Sequence, residues 1–291
     1  MTLFINTRAS ACGGLVADEA FACENTANGM LKPLSPDDFA NKISGHDLVL
    51  AAHGFNVNQE NGIKELALWE GECVLPASHQ FIGVLWPGDS CPHVFMDYVY
   101  EGIEANHSGN KLAAFINRYA DSASSLTLAA HSLGARMALQ AARGIGHRIN
   151  QIILMAAAIE NNCLAREYHD VARKIPTTVV ASRSDAVLHW AFPAGNLIGE
   201  ILMHGHPYDQ TALGRSGPAP GLPRDVSTDH WQIPDTWNYG HLDYLPDQAF
   251  PPNYQGVEKP GSGTPPPGSP NESPWKAAWS AAVLSLKSRK G

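Results

Sequence analysis

The stretch Ser-Leu-Thr-Leu-Ala-Ala-His-Ser-Leu-Gly-Ala at residues 125–135 carries the strongest structural signal in this chain. Its first six residues form an apolar run that predicts a buried β-strand, and a stretch with helical character begins at Leu133. Ser132 lies between them, with Ala130 two residues before it and Gly134 two residues after it. A sharp strand-to-helix turn needs small residues at these two positions. The segment therefore predicts a turn that presents Ser132 at a helix N-terminus; a serine that merely caps the helix is the alternative.

Short apolar runs alternate with helical stretches on either side of this segment. The runs are continuous rather than alternating, which is typical of parallel strands covered on both faces. The order of strand and helix predicts an α/β fold, a doubly wound, mostly parallel sheet with helices on both faces. The predicted strands span 47–52, 80–86, 125–130, 151–157 and 177–181, with a last strand near 225–228, and the predicted helices span 59–72, 98–120, 133–144 and 163–174.

The composition favours a folded domain over a nucleic-acid or membrane protein. The chain has 291 residues, of which 44% are hydrophobic, enough to bury a full core. Its 20 Lys+Arg against 28 Asp+Glu give a formal net charge of −8, so no nucleic-acid partner is expected. No apolar run approaches the roughly 20 residues of a transmembrane helix. A small-molecule substrate is therefore the expected partner, and the oligomeric state is left open.

Cysteine usage and the N-terminus bear on the compartment. The five cysteines are scattered and odd in number, which favours reduced thiols. The first residues, Met-Thr-Leu-Phe-Ile-Asn, lack the basic region of a signal peptide. We expect a cytoplasmic protein, with a secreted mature form as the alternative.

The chain divides into a main domain and a C-terminal extension. The main domain is predicted over residues 1–250, and within it the irregular segment 191–223 is a lid or a long surface loop. Residues 251–274 are rich in Pro and Gly and predict a linker. Residues 275–290 predict an amphipathic helix, because Trp275 and Trp279 share one face with the apolar residues that follow. That helix docks either on its own domain or on a partner or membrane surface.

Five short motifs point to one superfamily. They are HGFN at 53–56, VLWPGD at 84–89, AHSLGA at 130–135, SRSDAVL at 182–188 and GHLDY at 240–244. On these motifs, residues 45–245 resemble the α/β-hydrolase superfamily, and look closest to a bacterial family of α/β hydrolases of unknown function. The resemblance implies a nucleophilic serine followed along the chain by an acid and then a histidine.

A serine hydroxyl is a weak nucleophile unless a base and an orienting carboxylate activate it. Asp185 follows a predicted strand where the superfamily places its acid, and Glu160 is the rival; a helix N-cap is the structural alternative for Asp185. His241 lies downstream of both acids and after the predicted last strand, so it is the predicted base. His230 is the runner-up.

The reaction also needs donors for a developing oxyanion. The motif assigns one to the backbone N–H of Leu133, and the resemblance points to the backbone N–H of Phe55 for the other. A simple tight turn is the alternative for this loop. The candidate substrate-binding residues are Gly54, Asn56, His131, Trp86 and Trp190.

These residues predict a serine hydrolase that cleaves carboxylic esters through an acyl-Ser132 intermediate, without a cofactor. The alternatives are a thioesterase, lipase, peptidase or acyltransferase on the same residues, or a non-catalytic binding protein. A metal hydrolase is weaker, because His204, His206 and Asp209 miss the spacing of a metal motif. We therefore predict no metal site.

Overall fold

The part of the chain that the structure describes is built around a nine-stranded sheet. In this computed structural model that part comprises residues 1–26, 29–73, 75–89, 94–146, 149–190, 192, 211–246 and 279. The sheet order is β3-β2-β1-β5-β4-β6-β7-β8-β9. The strands are β1 (Leu3–Arg8), β2 (Val16–Asn25), β3 (Leu31–Pro33), β4 (Asp47–Ala52), β5 (His79–Leu85), β6 (Ser125–His131), β7 (Ile149–Met155), β8 (Thr177–Ser182) and β9 (Thr228–Ile233).

The strands from β1 across to β9 run parallel, in the order β1-β5-β4-β6-β7-β8-β9. β4 and β6 are buried along almost their whole length, as their continuous apolar runs require. Helices cover both faces, so the predicted doubly wound α/β architecture is confirmed. The helices are α1 (Pro36–Ile43), α2 (Gln59–Glu72), α3 (Val94–Tyr119), α4 (Gly134–Gly144) and α5 (His169–Ala172), with a four-residue helix at Leu213–Ser216.

The first helices begin at well-formed caps. The side chain of Ser35 accepts a hydrogen bond from the backbone N–H of Asp38, and Pro36 occupies the first turn of α1. The side chain of Asn58 likewise accepts from the N–H of Asn61 at the start of α2. The second cap starts α2 directly after the 53–56 loop and so limits that loop to a few residues.

The N-terminus adds an antiparallel extension that the sequence patterns do not reveal. β1, β2 and β3 form an antiparallel meander, and β1 pairs in parallel with β5 to join it to the rest of the sheet. We call β1–β3 the N-terminal meander. β2 is exposed or only partly buried over its first six residues and fully buried only at positions 22–24, so it lacks the continuous apolar run that marks the parallel strands.

Two predicted elements differ from the structure. The predicted helix 163–174 is broken into a 3-10 turn at Cys163–Ala165 and the short α5, because the backbone at Arg166 turns away (φ −126°, ψ −93°). The ring of Tyr168, just after this break, is fully buried. Tertiary packing therefore outweighs the local preference for a continuous helix. The last strand lies at Thr228–Ile233 rather than near 225–228, since a turn from Pro223 to Val226 precedes it.

The C-terminal extension is described at one residue only. Trp279 is buried, and its ring meets that of Trp69 on α2 at 5.6 Å in an edge-to-face arrangement. Where the rest of the predicted 275–290 helix docks stays a prediction, because its other residues lie outside the described part of the chain. The predicted linker 251–274 and most of the predicted lid, residues 193–210, lie outside the described residues.

Candidate active site

The candidate site lies at the carboxyl edge of the parallel strands. The loops after β4, β6 and β8 meet there with the loop that follows β9. Ligands of open α/β sheets bind at this edge, outside the carboxyl ends of the strands. The non-glycine residues with left-handed backbone in the described chain are Asn56, Ser132, Ala156 and Asn238. Each lies in or next to one of the loops at this edge, and such strain accumulates at functional sites.

Ser132 occupies a sharp turn between β6 and α4. Its φ is 54°, a conformation that costs a serine energy and is held here by packing. A Cβ on Gly134 would lie 2.4 Å from the carbonyl oxygen of His53, so the start of α4 touches the end of β4. The N–H of Ser132 donates to the carbonyl of Met155 at 3.0 Å. The small residue predicted two positions after the serine is therefore required by the close approach of two backbones.

The structure brings Ser132, His241 and Asp185 into one hydrogen-bonded chain. The Ser132 Oγ lies 2.9 Å from His241 Nε2, and His241 Nδ1 lies 2.7 Å from Asp185 Oδ2. A carboxylate only accepts, so Nδ1 carries the hydrogen and Nε2 is the acceptor for the Ser132 hydroxyl. All three side chains are almost fully buried, with Asp185 at 0% exposure.

Asp185 is held in place through its second oxygen. Its Oδ1 accepts a hydrogen bond from the N–H of Leu188 at 2.8 Å, at the start of the helical residues 186–190. Asp185 therefore caps a helix with one oxygen while the other meets His241. Helix capping and the predicted triad role of Asp185 are therefore compatible, because its two carboxylate oxygens accept different hydrogen bonds.

The rival residues lie elsewhere. Glu160 faces Arg136, with their charged atoms 3.7 Å apart. His230 lies on the edge strand β9, where its ring fills the space beside Gly217. His204, His206 and Asp209 lie outside the described residues. Among the residues that are described, no group of three or more His, Cys, Asp or Glu side chains is arranged to hold a metal ion.

The 53–56 loop packs directly on the nucleophile. A Cβ on Gly54 would lie 2.9 Å from the Ser132 Cβ, so glycine is needed for the loop to approach this closely. The N–H of Asn56 donates to the carbonyl of Gly88 at 2.5 Å, which ties this loop to the one after β5. Phe55 is partly exposed beside the site, and Leu133 is buried at the N-terminus of α4. Both predicted oxyanion donors thus belong to backbone adjacent to Ser132.

His131 supports the site from beneath rather than facing a substrate. It is buried, and its Nε2–H donates to the backbone carbonyl of His241 at 2.8 Å. Burial, together with the nearby charge of His241, lowers the pKa of His131 to about 3. His131 therefore stays neutral at ordinary pH and anchors the loop that carries His241. The prediction that it binds substrate is corrected to a positioning contact.

The two tryptophans lie in different surroundings. Trp86 is fully buried and its ring N–H donates to the carbonyl of His53 at 2.8 Å. It supports the 53–56 loop rather than lining a pocket, because no part of its ring reaches solvent. Trp190 is 71% exposed, with its ring against that of His189, and its predicted role in substrate binding stays a prediction. Asn56 has an exposed side chain, and its predicted role in substrate binding stays a prediction.

A buried ion pair beside the site has no counterpart in the sequence analysis. Arg8, at the end of β1, pairs with Asp89 beneath the 53–56 loop. The Arg8 side chain is fully buried. Charged side chains are seldom fully buried unless they are paired, and Asp89 supplies the partner here. The final Asp of the VLWPGD motif was the available signal, since a carboxylate in a buried loop requires a donor.

No helix in the described part of the chain is long and apolar enough to span a bilayer.

The sheet topology and the strained serine turn define an α/β-hydrolase fold. Residues 37–216, more than half of the 291 in the chain, match the family described as alpha/beta hydrolase of unknown function (DUF900). The chain belongs to that family, as the sequence motifs predict. No curated protein matches the chain.

Three solved structures are similar to the chain at low identity. An uncharacterized protein from Bacillus cereus ATCC 10987 is 18% identical over 68% of this chain, with a TM-score of 0.41, and the match spans 55% of that protein. A CIB-like hydrolase from Thermoplasma acidophilum is 12% identical over 74% of this chain and 83% of its own, with a TM-score of 0.37. Esterase PE8 is 17% identical over 69% of this chain and 86% of its own, with a TM-score of 0.37.

Proposed function

We propose that this protein is a serine hydrolase that cleaves carboxylic esters through a covalent acyl-Ser132 intermediate. The observation that carries the proposal is the hydrogen-bonded chain from the Ser132 Oγ through His241 to the Asp185 carboxylate. The order serine, acid, histidine along the sequence is that of α/β hydrolases. The substrate expected for this site is a small-molecule ester.

The geometry supports a two-step acyl transfer. The Ser132 Oγ attacks the ester carbonyl while His241 Nε2 takes its proton, and the Asp185 carboxylate stabilises the resulting imidazolium. The N–H groups of Leu133 and Phe55 stabilise the tetrahedral oxyanion. Collapse breaks the bond to the alcohol, which leaves with the proton from His241. Water then attacks the acyl carbon while His241 Nε2 takes its proton. The second tetrahedral intermediate collapses, the bond to the Ser132 Oγ breaks, and His241 returns the proton to that oxygen as the acid leaves.

The short distances between these groups explain why the proposal needs no cofactor. The first proton transfer, from the Ser132 Oγ to His241 Nε2, joins two atoms that are already within hydrogen-bonding distance, and the carboxylate that orients the base is fully buried. A buried arrangement strengthens the electrostatic interactions of the triad relative to water.

Hydrolysis of p-nitrophenyl esters from acetate to palmitate tests the proposal. We expect Ser132→Ala to lower kcat by about 10⁴-fold or more and to leave the Tm nearly unchanged. Ser124→Ala is the matched control, since Ser124 is an exposed serine at the opposite edge of the sheet. A fluorophosphonate should label the wild type and the control, and not Ser132→Ala.

Two results would contradict the proposal. Equal turnover in the wild type and Ser132→Ala would place the chemistry on another residue. A wild type that neither hydrolyses any ester of the series nor reacts with the fluorophosphonate would contradict ester cleavage through Ser132. The chain-length optimum separates an esterase from a lipase.

A further inference from the structure

One charged side chain of the N-terminal meander, that of Arg8, lies against the loops that pack around the candidate site. Arg8 lies at the end of β1, outside residues 37–216 that match the family. Its side chain is fully buried, although arginine almost never is unless it is paired. The acceptors of its hydrogen bonds show which segments this buried guanidinium connects.

All three nitrogens of the Arg8 guanidinium are engaged, and most of the acceptors are backbone carbonyls. Nη1 donates to the carbonyl of Trp86 at 2.9 Å and to that of Val57 at 3.4 Å. Nε donates to the carbonyl of Ser10 at 3.0 Å and Nη2 to that of Ala11 at 3.2 Å, and Nη2 also meets Asp89. The fixed planar fork of arginine suits this simultaneous contact.

These contacts join the two loops that pack around the nucleophile. Val57 follows the 53–56 loop and Trp86 begins the loop after β5. The same two loops are joined by the hydrogen bond from Asn56 to Gly88, and Gly54 of the first loop touches Ser132. A shift of Val57 therefore moves Phe55, two residues earlier, relative to Ser132.

Asp89 anchors the Arg8 guanidinium. We call this ion pair, together with the carbonyls that Arg8 binds, the clamp. One of its oxygens meets Arg8 and the other accepts from the N–H of Gly13 at 3.1 Å, in the turn between β1 and β2. The ion pair thus closes a ring through β1, the β1–β2 turn and the loop after β5.

We propose that Arg8, anchored by Asp89, is a positioning residue that sets the distance between the Phe55 N–H and the oxyanion formed at Ser132. The inference rests on the proposed function. Arg8 does not touch substrate in this account; it acts through the backbone carbonyls that it binds. Because oxyanion donors act on the transition state rather than on the bound ester, loss of the clamp lowers kcat and leaves KM nearly unchanged.

The test measures turnover and transition-state affinity in Arg8→Lys and Asp89→Asn. Lysine keeps the charge but offers no planar fork, so it does not bridge both loops. The probes are the p-nitrophenyl ester that the wild type prefers and the alkyl trifluoromethyl ketone of the same acyl length, to which Ser132 adds to form an oxyanion. We expect Arg8→Lys to lower kcat about 10- to 100-fold, with KM within about twofold. The inhibition constant of the ketone should rise by the factor by which kcat/KM falls.

Asp89→Asn keeps Arg8 and loosens its anchor, so it should give the same pattern at about 3- to 10-fold. It also keeps the inference testable if Arg8→Lys does not fold. Glu24→Gln is the matched control, because Glu24 lies on β2 of the same meander and its ion pairs are with Lys32 on β3 and Lys42 on α1, away from both loops. That control should keep the wild-type kcat and ketone affinity.

The outcomes separate this inference from the proposed function. Wild-type kcat and ketone affinity in either folded Arg8 or Asp89 variant would overturn the inference while leaving Ser132-dependent turnover in place. A rise in KM with unchanged kcat would also overturn it, since it would mean a role in ground-state binding. A wild type without Ser132-dependent turnover would overturn the proposed function and this inference with it.

Discussion

In the sheet β5 lies between the N-terminal meander on one side and the strands β4, β6, β7, β8 and β9 on the other. The two sides serve the candidate site in different ways. The parallel strands end in the loops that carry Ser132, Asp185 and His241. The meander carries none of these residues, but the side chain of its Arg8 binds carbonyls in the two loops next to the site. The triad residues and the Arg8 contacts therefore come from different parts of one sheet.

Taken together, the proposed function and the proposed role of Arg8 predict that a site at a sheet edge depends on strands that contribute no reacting group. Asp185 acts directly on His241, so its loss should affect the chemistry and little else. Buried apolar residues of the meander should affect stability and not turnover. Substitutions that lower turnover without lowering stability, or stability without turnover, therefore test this difference between the two parts of the sheet.

The largest expected effect is at Asp185. Asp185→Asn should lower kcat by about 10³- to 10⁴-fold, because an amide no longer selects the His241 tautomer that accepts from Ser132. The amide oxygen still accepts from Leu188, so the Tm should change little. Ester hydrolysis and thermal unfolding measure the two effects.

Glu160→Gln is the matched control for that prediction. Its partner is Arg136, and the variant should keep kcat within about threefold of the wild type. A severe loss in Glu160→Gln together with a mild one in Asp185→Asn would transfer the role of the acid to Glu160.

The next effect is on stability, in the core of the meander. Phe4 on β1 is fully buried and packs over Gly83 of β5. Phe4→Ala should lower the free energy of unfolding by about 3–5 kcal/mol, from lost burial and the cavity left behind. Turnover at a temperature well below the Tm should stay near that of the wild type. Denaturant titration and ester hydrolysis check the pair of expectations.

Phe81→Ala provides the control, since Phe81 has the same side chain and is buried on β5 itself. The two variants should lose similar stability. If Phe4→Ala lost as much kcat as Arg8→Lys, general packing of the meander rather than the guanidinium would control the site.

The smallest expected effect concerns helix α2, which follows the 53–56 loop and packs on β5. Glu65 is buried there, and its Oε1 has no hydrogen-bond partner among the described residues. Burial raises the pKa of Glu65 to about 8. The folded state therefore holds the proton more tightly than the unfolded state, whose pKa is near 4.5. The stability that this group contributes is full below the unfolded pKa and is lost as the pH rises through about 8.

Glu65→Gln removes that titration while keeping the shape. At pH 8 it should raise the free energy of unfolding by roughly 1–3 kcal/mol relative to the wild type, and at pH 4 it should change it little. Urea titrations at the two pH values measure the difference. A wild type whose stability is flat between these values, apart from changes shared with Glu65→Gln, would contradict a buried neutral carboxyl.

Part of this protein follows from the sequence alone. Continuous apolar runs identify β4 to β8, because a strand buried on both faces excludes polar residues. Ala130 and Gly134 identify the turn at Ser132, since the crossing backbones leave no room for larger side chains. The order of acid and base picks out Asp185 and His241, and the structure places both beside Ser132.

The contacts between distant segments, in contrast, are visible only in the folded chain. The chain has thirteen histidines, and their contacts separate the roles of His131, His230 and His241. Arg8 and Asp89 are 81 positions apart, so their contact produces no periodic pattern in the sequence. Trp86 and the break at Arg166 escaped prediction for the same reason. Local patterns record which face of an element is buried; which residues meet there depends on how the whole sheet brings distant segments together.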